Sequence, residues 1–401
     1  MRRPSSLLAR LAAVAAGLVL AAAGAVTLAA PAQAATLTQV SSFGSNPGNL
    51  TMYAYRPDNL PANSPAVVLL HGCTQNASGY FTNSGWRKYA DQWSFALIVA
   101  EQKSANNATS CFNWFETGDT ARGQGEALSI KQMVDHAKAN FGIDGSRVFV
   151  SGLSAGAAMS AVMLATYPDV FAAGSIVAGI PYRCATSMIN AFGCMNPGTD
   201  KSPAAWGDLV RNAYPGYSGP RPRVAIWHGT SDTTVAPLNA AEARDQWTNV
   251  RGVAQTPTST SSLPGGTSLE VYGNDVVRLY RVSGMGHGTP VDPGSGAEQC
   301  GNAAAYFLDT ICSAYRDAAF FGLNGGGGDP TDPPPTDPPP TDPPTPVCTT
   351  ASNYAHVAAG RAYQSGGYAY ANGSNQRMGL YNTFYTTTLK QTAPNHWVIG
   401  C

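Results

Sequence analysis

The chain has 401 residues, of which 24 are basic and 24 acidic, so its formal charge is zero. Only 12% of the residues are charged, about half the usual share. This composition argues against a nucleic-acid partner and favours a neutral ligand over one that is steered by charge.

The first 34 residues predict a secretory signal peptide. Arg2 and Arg3 precede a long run of Ala, Leu and Val, and the small residues of "AQA" at 32–34 form a cleavage site. The apolar run approaches the length of a membrane span, but its flanks favour a signal over an anchor. Removing Arg2, Arg3 and Arg10 from the 24 basic residues leaves 21 against 24 acidic residues, a formal charge of −3. We expect a secreted, extracellular protein with no membrane attachment after cleavage.

Residues 35–324 predict a single α/β domain. Short Val, Ile and Leu runs alternate with helical stretches, as in parallel strands that are covered on both faces. The alternation predicts a doubly wound, mostly parallel sheet, closed by a helix within residues 303–322. The predicted strands lie near residues 66–72, 95–102, 147–156, 174–180, 223–232 and 276–288. Four residues have the spacing of a helix that packs on such a sheet: Ile130, Met133, Val134 and Ala137.

The pentapeptide "GLSAG" at 152–156 is a candidate nucleophile elbow. In a chain with 43 glycines the pattern alone is weak, and a flexible Gly/Ser turn is the alternative. Its context is specific, because a predicted strand precedes it and the helix-like "AAMSAVMLATYP" follows it. A strand, a sharp turn and a helix would lift the Ser154 hydroxyl clear of the backbone as a nucleophile.

A serine nucleophile needs a base, and His287 in "GMGHGTPVD" is the candidate. It follows the last predicted strand of the sheet in a loop of small residues, after Ser154 in the chain order of such hydrolases. A histidine that only supports a turn is the alternative. The other histidines of the mature chain end strands, lie in a helix or lie near the C-terminus: His71, His228, His136, His356 and His396.

Asp232 in "HGTSD" is the candidate carboxylate that orients His287, because it follows a predicted strand and lies between Ser154 and His287. Asp275 is the competitor, but it begins a strand instead of ending one. The oxyanion would be stabilised by the Ala155 amide, next to the nucleophile, and by an amide of the "HGCTQ" loop, for which we choose Cys73.

The eight cysteines of an exported chain predict disulfides. Their spacing suggests Cys184 with Cys194, Cys300 with Cys312, and Cys348 with Cys401, which leaves Cys73 and Cys111. No CxxC or clustered His/Cys spacing occurs, so we expect no metal and no cofactor.

A Gly, Pro, Thr and Asp-rich stretch at 325–347, with repeats of "TDPPP", predicts a stiff linker. Residues 348–401, the C-terminal segment, contain no Asp or Glu and predict a small, disulfide-closed, β-rich domain. Its aromatic residues could form its core, an exposed binding face, or both. They are Tyr354, Tyr363, Tyr368, Tyr370, Tyr381, Phe384, Tyr385 and Trp397.

Five motifs together, "HGCTQ", "CFNWF", "GLSAG", "HGTSD" and "GMGH", resemble the secreted esterases grouped with poly(3-hydroxybutyrate) depolymerases. That family also includes feruloyl and acetylxylan esterases. The resemblance implies an α/β-hydrolase fold, the Ser154, Asp232 and His287 triad, the "HGCTQ" loop at the oxyanion hole, and a disulfide between Cys73 and Cys111. The C-terminal segment resembles the substrate-binding domain of extracellular polyhydroxybutyrate depolymerases.

The resemblance implies a serine esterase, expected to be a monomer, that acts on an insoluble polyester surface to which a tethered binding domain holds it. A feruloyl or acetylxylan esterase is the alternative enzyme, and a non-catalytic polymer-binding protein is the alternative of another class. The region 183–220, with Trp206, Tyr214 and Tyr217, could line the acyl pocket or form a disulfide-braced surface insertion.

Overall fold

The computed structural model describes residues 35–324, 348–393 and 396–400. The predicted signal peptide at 1–34, the predicted linker at 325–347 and Cys401 lie outside the described residues. None of the helices in these ranges is long and apolar enough to span a membrane.

A ten-stranded sheet forms the centre of residues 35–324, the catalytic segment. Its strands are β1 (Thr38–Val40), β2 (Thr51–Tyr55), β3 (Ser64–Leu70), β4 (Ala96–Glu101), β5 (Ile143–Leu153), β6 (Ala173–Val177), β7 (Arg223–Gly229), β8 (Ser259–Leu263), β9 (Thr267–Tyr272) and β10 (Val277–Val282). Their spatial order is β1-β2-β4-β3-β5-β6-β7-β10-β9-β8. The six strands from β4 to β10 in this order are parallel, and the outer pairs are antiparallel. The predicted doubly wound, mostly parallel sheet is confirmed.

Helices cover both faces of this sheet. They are α1 (Ala77–Asn83), α2 (Trp86–Trp93), α3 (Gly125–Phe141), α4 (Ala155–Thr166), α5 (Met188–Met195), α6 (Pro203–Arg211), α7 (Leu238–Arg251) and α8 (Ser313–Phe320). Along β3, Val68 and Leu70 join the core under α3, α4 and α7, whereas Val67 and Leu69 join the core under α1, α2 and α8. Alternate side chains of one strand are thus buried on opposite faces, which explains the continuous apolar runs.

The end of the catalytic segment differs from the expectation of one long helix. Residues Thr289–Val291 (β11) and Phe307–Asp309 (β12) form a separate two-stranded parallel sheet, and α8 begins only at Ser313. Cys312 caps α8 by accepting the Tyr315 N–H on its sulfur at 3.2 Å. Pairing with β11, directly after His287, therefore overrides the helical propensity of the preceding alanines.

Disulfides join Cys73 with Cys111, Cys184 with Cys194, and Cys300 with Cys312. All three agree with the expected pairs. Cys401 lies outside the described residues, so its pairing with Cys348 stays a prediction.

The described part of the C-terminal segment is built of two small antiparallel sheets. Its elements are β13 (Cys348–Ser352), α9 (Asn353–Ala358), β14 (Ala362–Ser365), β15 (Tyr368–Ala371), β16 (Arg377–Leu380), β17 (Thr386–Ala393) and β18 (His396–Ile399). The sheet orders are β13-β17-β18 and β14-β15-β16. The β-rich expectation is confirmed, and α9 is an addition. The buried core is small: Ala362, Ala369, Ala371, Met378 and Leu389.

Candidate active site

Ser154 lies in the turn between β5 and α4, with φ 56° and ψ −116°. A positive φ is costly for a residue with a side chain and persists where the surroundings enforce it. The Ser154 N–H donates to the Val177 carbonyl at 2.9 Å, and the Ala158 N–H donates to the Ser154 carbonyl at 2.9 Å. The strained turn is therefore held on both sides, as a nucleophile elbow requires.

The two glycines of "GLSAG" are required by close backbone contacts. A Cβ on Gly152 would lie 2.4 Å from the carbonyl oxygen of Gly156. A Cβ on Gly156 would lie 2.2 Å from the carbonyl oxygen of Leu70, at the end of β3. Both positions exclude any side chain, because real Cβ contacts are not this short.

His287 and Asp232 are in direct contact. Nδ1 of His287 lies 2.7 Å from Oδ2 of Asp232, so Nδ1 carries the proton and donates it to the carboxylate. The other oxygen, Oδ1, accepts the backbone N–H groups of Thr234 and Val235, each at 2.9 Å. Burial by itself raises the pKa of Asp232, but hydrogen bonds from His228 and His287 outweigh it and hold that pKa well below its usual range. The carboxylate stays ionised and fixes the tautomer of His287.

Backbone contacts hold the Asp232 loop against the His287 loop. The Ser231 N–H donates to the Met285 carbonyl at 3.0 Å, and the Gly284 N–H donates to Thr230 Oγ1 at 2.8 Å. A Cβ on Gly229 would lie 2.2 Å from the Met285 carbonyl oxygen. These contacts join the two loops directly.

Sheet topology brings Ser154 to the same edge. Ser154 follows β5, Asp232 follows β7 and His287 follows β10, and these parallel strands are neighbours separated only by β6. No hydrogen bond joins Ser154 Oγ to His287 among the described residues, although such contacts commonly tighten only with substrate. The competing Asp275 forms two 2.6 Å hydrogen bonds with Arg278 before the opposite end of β10.

Sequence reasoning gave no role to His228, which lies beside Asp232. Its Nε2 is 3.4 Å from Asp232 Oδ2 and 2.8 Å from the Val235 carbonyl, which can only accept. Nε2 therefore carries a proton and braces the Asp232 loop. The signal was present in "HGTSD", where His228 precedes Asp232 by four residues.

The Cys73 and Ala155 amides, chosen as oxyanion donors, have no protein acceptor in the part of the chain that the structure describes. Ala155 is the first residue of α4, where backbone N–H groups lack an intrahelical partner. Both residues border one apolar cluster, which also contains Val235 from the Asp232 loop. The two amides are available to an oxyanion.

His71 orients the Cys73 amide. Its Nδ1 donates to the Gly72 carbonyl at 2.7 Å, and its Nε2 accepts the Gln102 N–H at 3.1 Å. Burial lowers the pKa of His71 to about 4, so it stays neutral. Because the C=O and N–H of a trans peptide point in opposite directions, this contact turns the Cys73 N–H away from His71.

The buried carboxyl group of Glu126 supports the loop that contains Cys73. Gln102 Nε2 donates to the Cys111 carbonyl at 3.1 Å and also to Glu126, while Glu126 Oε2 accepts the Asn113 N–H at 2.9 Å. Burial, followed by the nearby charge of Asp119, raises the pKa of Glu126 to about 8. The Cys73–Cys111 disulfide connects this hydrogen-bond network to the oxyanion loop. No local sequence motif indicates this connection.

Trp206, Tyr214 and Tyr217, the candidates within the region 183–220, do not line the site. Trp206 is fully buried and donates its indole N–H to Glu242 on α7. Tyr214 and Tyr217 stack on each other at 5.2 Å, and the Tyr217 hydroxyl donates to the Pro168 carbonyl just beyond α4. The region is instead a braced insertion, of which α5 approaches the triad. No group of three or more potential metal ligands occurs within the described ranges.

None of the eight aromatic side chains of the C-terminal segment is buried. Tyr363 and Tyr370 are paired across β14 and β15 with ring centroids 5.4 Å apart, and the Arg377 guanidinium lies 3.7 Å from the centroid of Tyr368. Tyr354 and Tyr381 form a second pair with ring centroids 5.5 Å apart, and Phe384 is 89% exposed. The other members of the eight are Tyr385 and Trp397. The small core is made of Ala, Met and Leu, and Tyr381 and Trp397 pack against it.

Comparisons with known proteins identify the family of this chain. The family model described as Esterase PHB depolymerase matches residues 50–271. The chain is 58% identical over 294 residues to Poly(3-hydroxyalkanoate) depolymerase C of Paucimonas lemoignei, covering 72% of this chain and 70% of that protein. It is 42% identical over 264 residues to an acetylxylan esterase of Coprinopsis cinerea, covering 64% and 70%.

A solved structure, the acetyl xylan esterase from Aspergillus awamori, superposes with a TM-score of 0.62 at 30% identity and covers 72% of this chain and 99% of that one. The matched fold is that of an α/β esterase. The chain therefore belongs to the Esterase PHB depolymerase family and is a carboxylic ester hydrolase.

Proposed function

We propose that the protein is a secreted depolymerase that hydrolyses ester bonds of poly(3-hydroxybutyrate) or a related insoluble polyester and releases hydroxyacid oligomers and monomers. The observation that carries the proposal is the 58% identity to Poly(3-hydroxyalkanoate) depolymerase C, against 42% for the acetylxylan esterase. The three disulfides support export, since such bonds persist in oxidising compartments.

In the first half of the reaction, Ser154 Oγ attacks the ester carbonyl while His287 Nε2 takes its proton. Asp232 holds Nδ1 of the imidazole and stabilises the imidazolium without accepting the proton. The backbone N–H groups of Cys73 and Ala155 stabilise the negative charge that forms on the carbonyl oxygen. His287 then returns the proton to the departing alcohol end of the polymer, which leaves an acyl group on Ser154.

In the second half, water replaces the alcohol. His287 takes a proton from water, the resulting oxygen nucleophile attacks the acyl carbonyl, and the proton passes to Ser154 Oγ as the acid product leaves. No cofactor or metal is needed to balance these steps, because each proton taken by His287 is returned by it.

The exposed aromatic side chains support a polymer-binding role for the C-terminal segment. A polyester surface presents methyl and methylene groups together with carbonyl oxygens, which accept hydrogen bonds but cannot donate them. Six of the eight aromatic residues are tyrosines, which offer an apolar ring and a hydroxyl donor, and the segment contains no Asp or Glu. A tethered surface of this chemistry keeps the catalytic segment at a high local concentration on the polymer.

The test is the clearing of a poly(3-hydroxybutyrate) suspension by the mature protein, with released hydroxybutyrate measured and Ser154→Ala as the control. We expect clearing that depends on Ser154. Turnover of a soluble ester without clearing, together with release of acetate or ferulate from substituted xylan, would overturn the proposal in favour of a cell-wall esterase.

A further inference from the structure

The exposed apolar side chains of the catalytic segment are not scattered. Five large ones are exposed within residues 35–324: Met188, Ile189, Phe192, Leu238 and Tyr306. Three of them lie on the single short helix α5, where Ile189 is 85% and Phe192 67% exposed. Single exposed apolar residues need no explanation, but a contiguous group marks a contact surface.

The packing of α5 forces this face outward. Ala191 and Cys194 are its buried residues, and the Cys184–Cys194 disulfide fixes that side of the helix against the domain. The larger side chains of Met188, Ile189 and Phe192 are thus presented to solvent, while the small ones face inward. An ordinary surface helix has the opposite arrangement, with its large apolar residues toward the core.

This helix adjoins the catalytic loops. The Ala236 N–H donates to the Met195 carbonyl at 2.8 Å, and Asn196 Nδ2 donates to the Thr233 carbonyl at 2.9 Å. Both contacts tie the end of α5 to the loop that follows Asp232. The buried side of α5 belongs to the same apolar cluster as Ala155, next to the nucleophile.

The remaining two exposed residues lie beside the same site. Leu238 begins α7 and lies close to Gly198, just beyond α5, where an added Cβ would be 3.2 Å from Leu238 Cδ2. The ring of Tyr306 packs edge-on against the His287 imidazole, with centroids 6.3 Å apart. All five exposed residues therefore adjoin the loops that carry Ser154, Asp232 and His287.

The chemistry of this surface indicates its partner. Residues 184–199 contain no Asp, Glu, Lys, Arg or His, so α5 and the turn that follows it carry no charge to pair with an ionic partner. A polysaccharide would require many hydrogen-bonding groups, whereas an aliphatic polyester presents neutral, largely apolar material. The surface is also continuous with the site at which the ester bond is cleaved.

We propose that Met188, Ile189, Phe192, Leu238 and Tyr306 form a second polymer-contact surface, on the catalytic segment itself. This inference rests on the proposed function. The C-terminal segment holds the protein on the polyester, and the surface around α5 places the active-site entrance against it. The C-terminal segment thus provides adsorption to the polymer, and the surface around α5 provides the orientation of the active site toward it.

The test compares the full-length protein with its Ile189→Ser/Phe192→Ser variant on poly(3-hydroxybutyrate) film. The amount of adsorbed protein and the hydroxybutyrate released per adsorbed protein are measured separately. We expect release per adsorbed protein to fall about ten-fold, because two apolar contacts are lost. Turnover of p-nitrophenyl acetate and the thermal unfolding temperature should stay unchanged.

The matched control is Ile189→Leu/Phe192→Leu, which keeps the surface apolar and should retain release from the film. Unchanged release per adsorbed protein in the serine variant would overturn the inference while leaving the proposed function intact. Equal losses on film and on p-nitrophenyl acetate would also overturn it, by assigning α5 to acyl binding or folding. If the wild type turns over the soluble ester but never attacks film, the proposed function fails and this inference fails with it.

Discussion

The carboxylate of Asp232 and the imidazole of His287 share a hydrogen bond of 2.7 Å, although 55 residues separate them in the chain. The bond fixes the proton on Nδ1 and leaves the lone pair of Nε2 available as a base. The two backbone N–H groups that Asp232 accepts on its other oxygen hold the carboxylate in this orientation.

Replacing Asp232 by Asn should lower kcat on a soluble ester by about 10⁴-fold, because the amide no longer enforces the required tautomer of His287. Asp275→Asn is the matched control. Asp275 pairs with Arg278 and not with His287, so its loss should leave kcat unchanged. A similar loss of kcat in both variants, at equal folded fractions, would contradict the assignment.

His71→Phe should lower kcat on the soluble ester by about 10- to 100-fold with little change in KM. Phe fills a similar volume but cannot donate to the Gly72 carbonyl, so the Cys73 amide loses its orientation where the oxyanion forms. His136→Phe is the control, because His136 packs against Phe141 on α3, outside the active site. Proportional changes in KM and kcat for His71→Phe would point to a general structural defect.

We expect Glu126 to make the free energy of unfolding depend on pH. Its pKa rises to about 8 in the folded protein from an ordinary value of 4.5. Between these values the unfolded chain has lost the proton that the folded chain retains, so this group lowers the free energy of unfolding as pH rises. Above about pH 8 both states are ionised, and the contribution becomes constant.

Glu126→Gln removes that titration. Relative to wild type, the variant should therefore gain stability between pH 5 and pH 8, whatever its stability at pH 5. Urea unfolding at several pH values across this window measures the difference between the two proteins. Parallel stability curves for variant and wild type would show that Glu126 does not titrate in this range.

Gly156→Ala should destabilise the protein by about 3 kcal/mol and abolish activity, because its Cβ would collide with the backbone at the end of β3. Gly193→Ala on α5 is the matched substitution, since nothing lies within 4 Å of the added Cβ. That variant should be stabilised by up to about 1 kcal/mol through helix propensity. Denaturant unfolding compares the two, and equal effects would show that backbone proximity is not the cause.

Tyr363→Ala/Tyr370→Ala should reduce retention on polyester film while leaving soluble-ester turnover unchanged. These rings are stacked on the exposed face of their sheet, opposite the side that buries Ala369 and Ala371. Tyr363→Phe/Tyr370→Phe keeps the rings and removes only the hydroxyl donors. Retention by the Phe variant would assign binding to the rings, and full retention by the Ala variant would exclude this face as the polymer contact.

The parallel sheet could be predicted because strands buried on both faces require continuous apolar runs, as the residues of β3 do. The sequence predicts no strand at β8, because its "STSSL" is mostly exposed and lacks an apolar pattern. The sequence predicts a helix at residues 307–309, because their pairing with β11 is a long-range contact with no local signal.

The chemical groups of the site can be identified from short windows of sequence, because a nucleophile elbow needs its glycines within two residues of Ser154 and because local composition marks the ends of strands. The contacts between groups that are distant in the chain come from the folded structure. It gave His71 and His228 their roles, joined Glu126 to the oxyanion loop and turned the apolar face of α5 outward. These contacts depend on which strands become neighbours. They also depend on which side chains a disulfide or hydrogen bond holds in the interior. No short window of sequence encodes either of these.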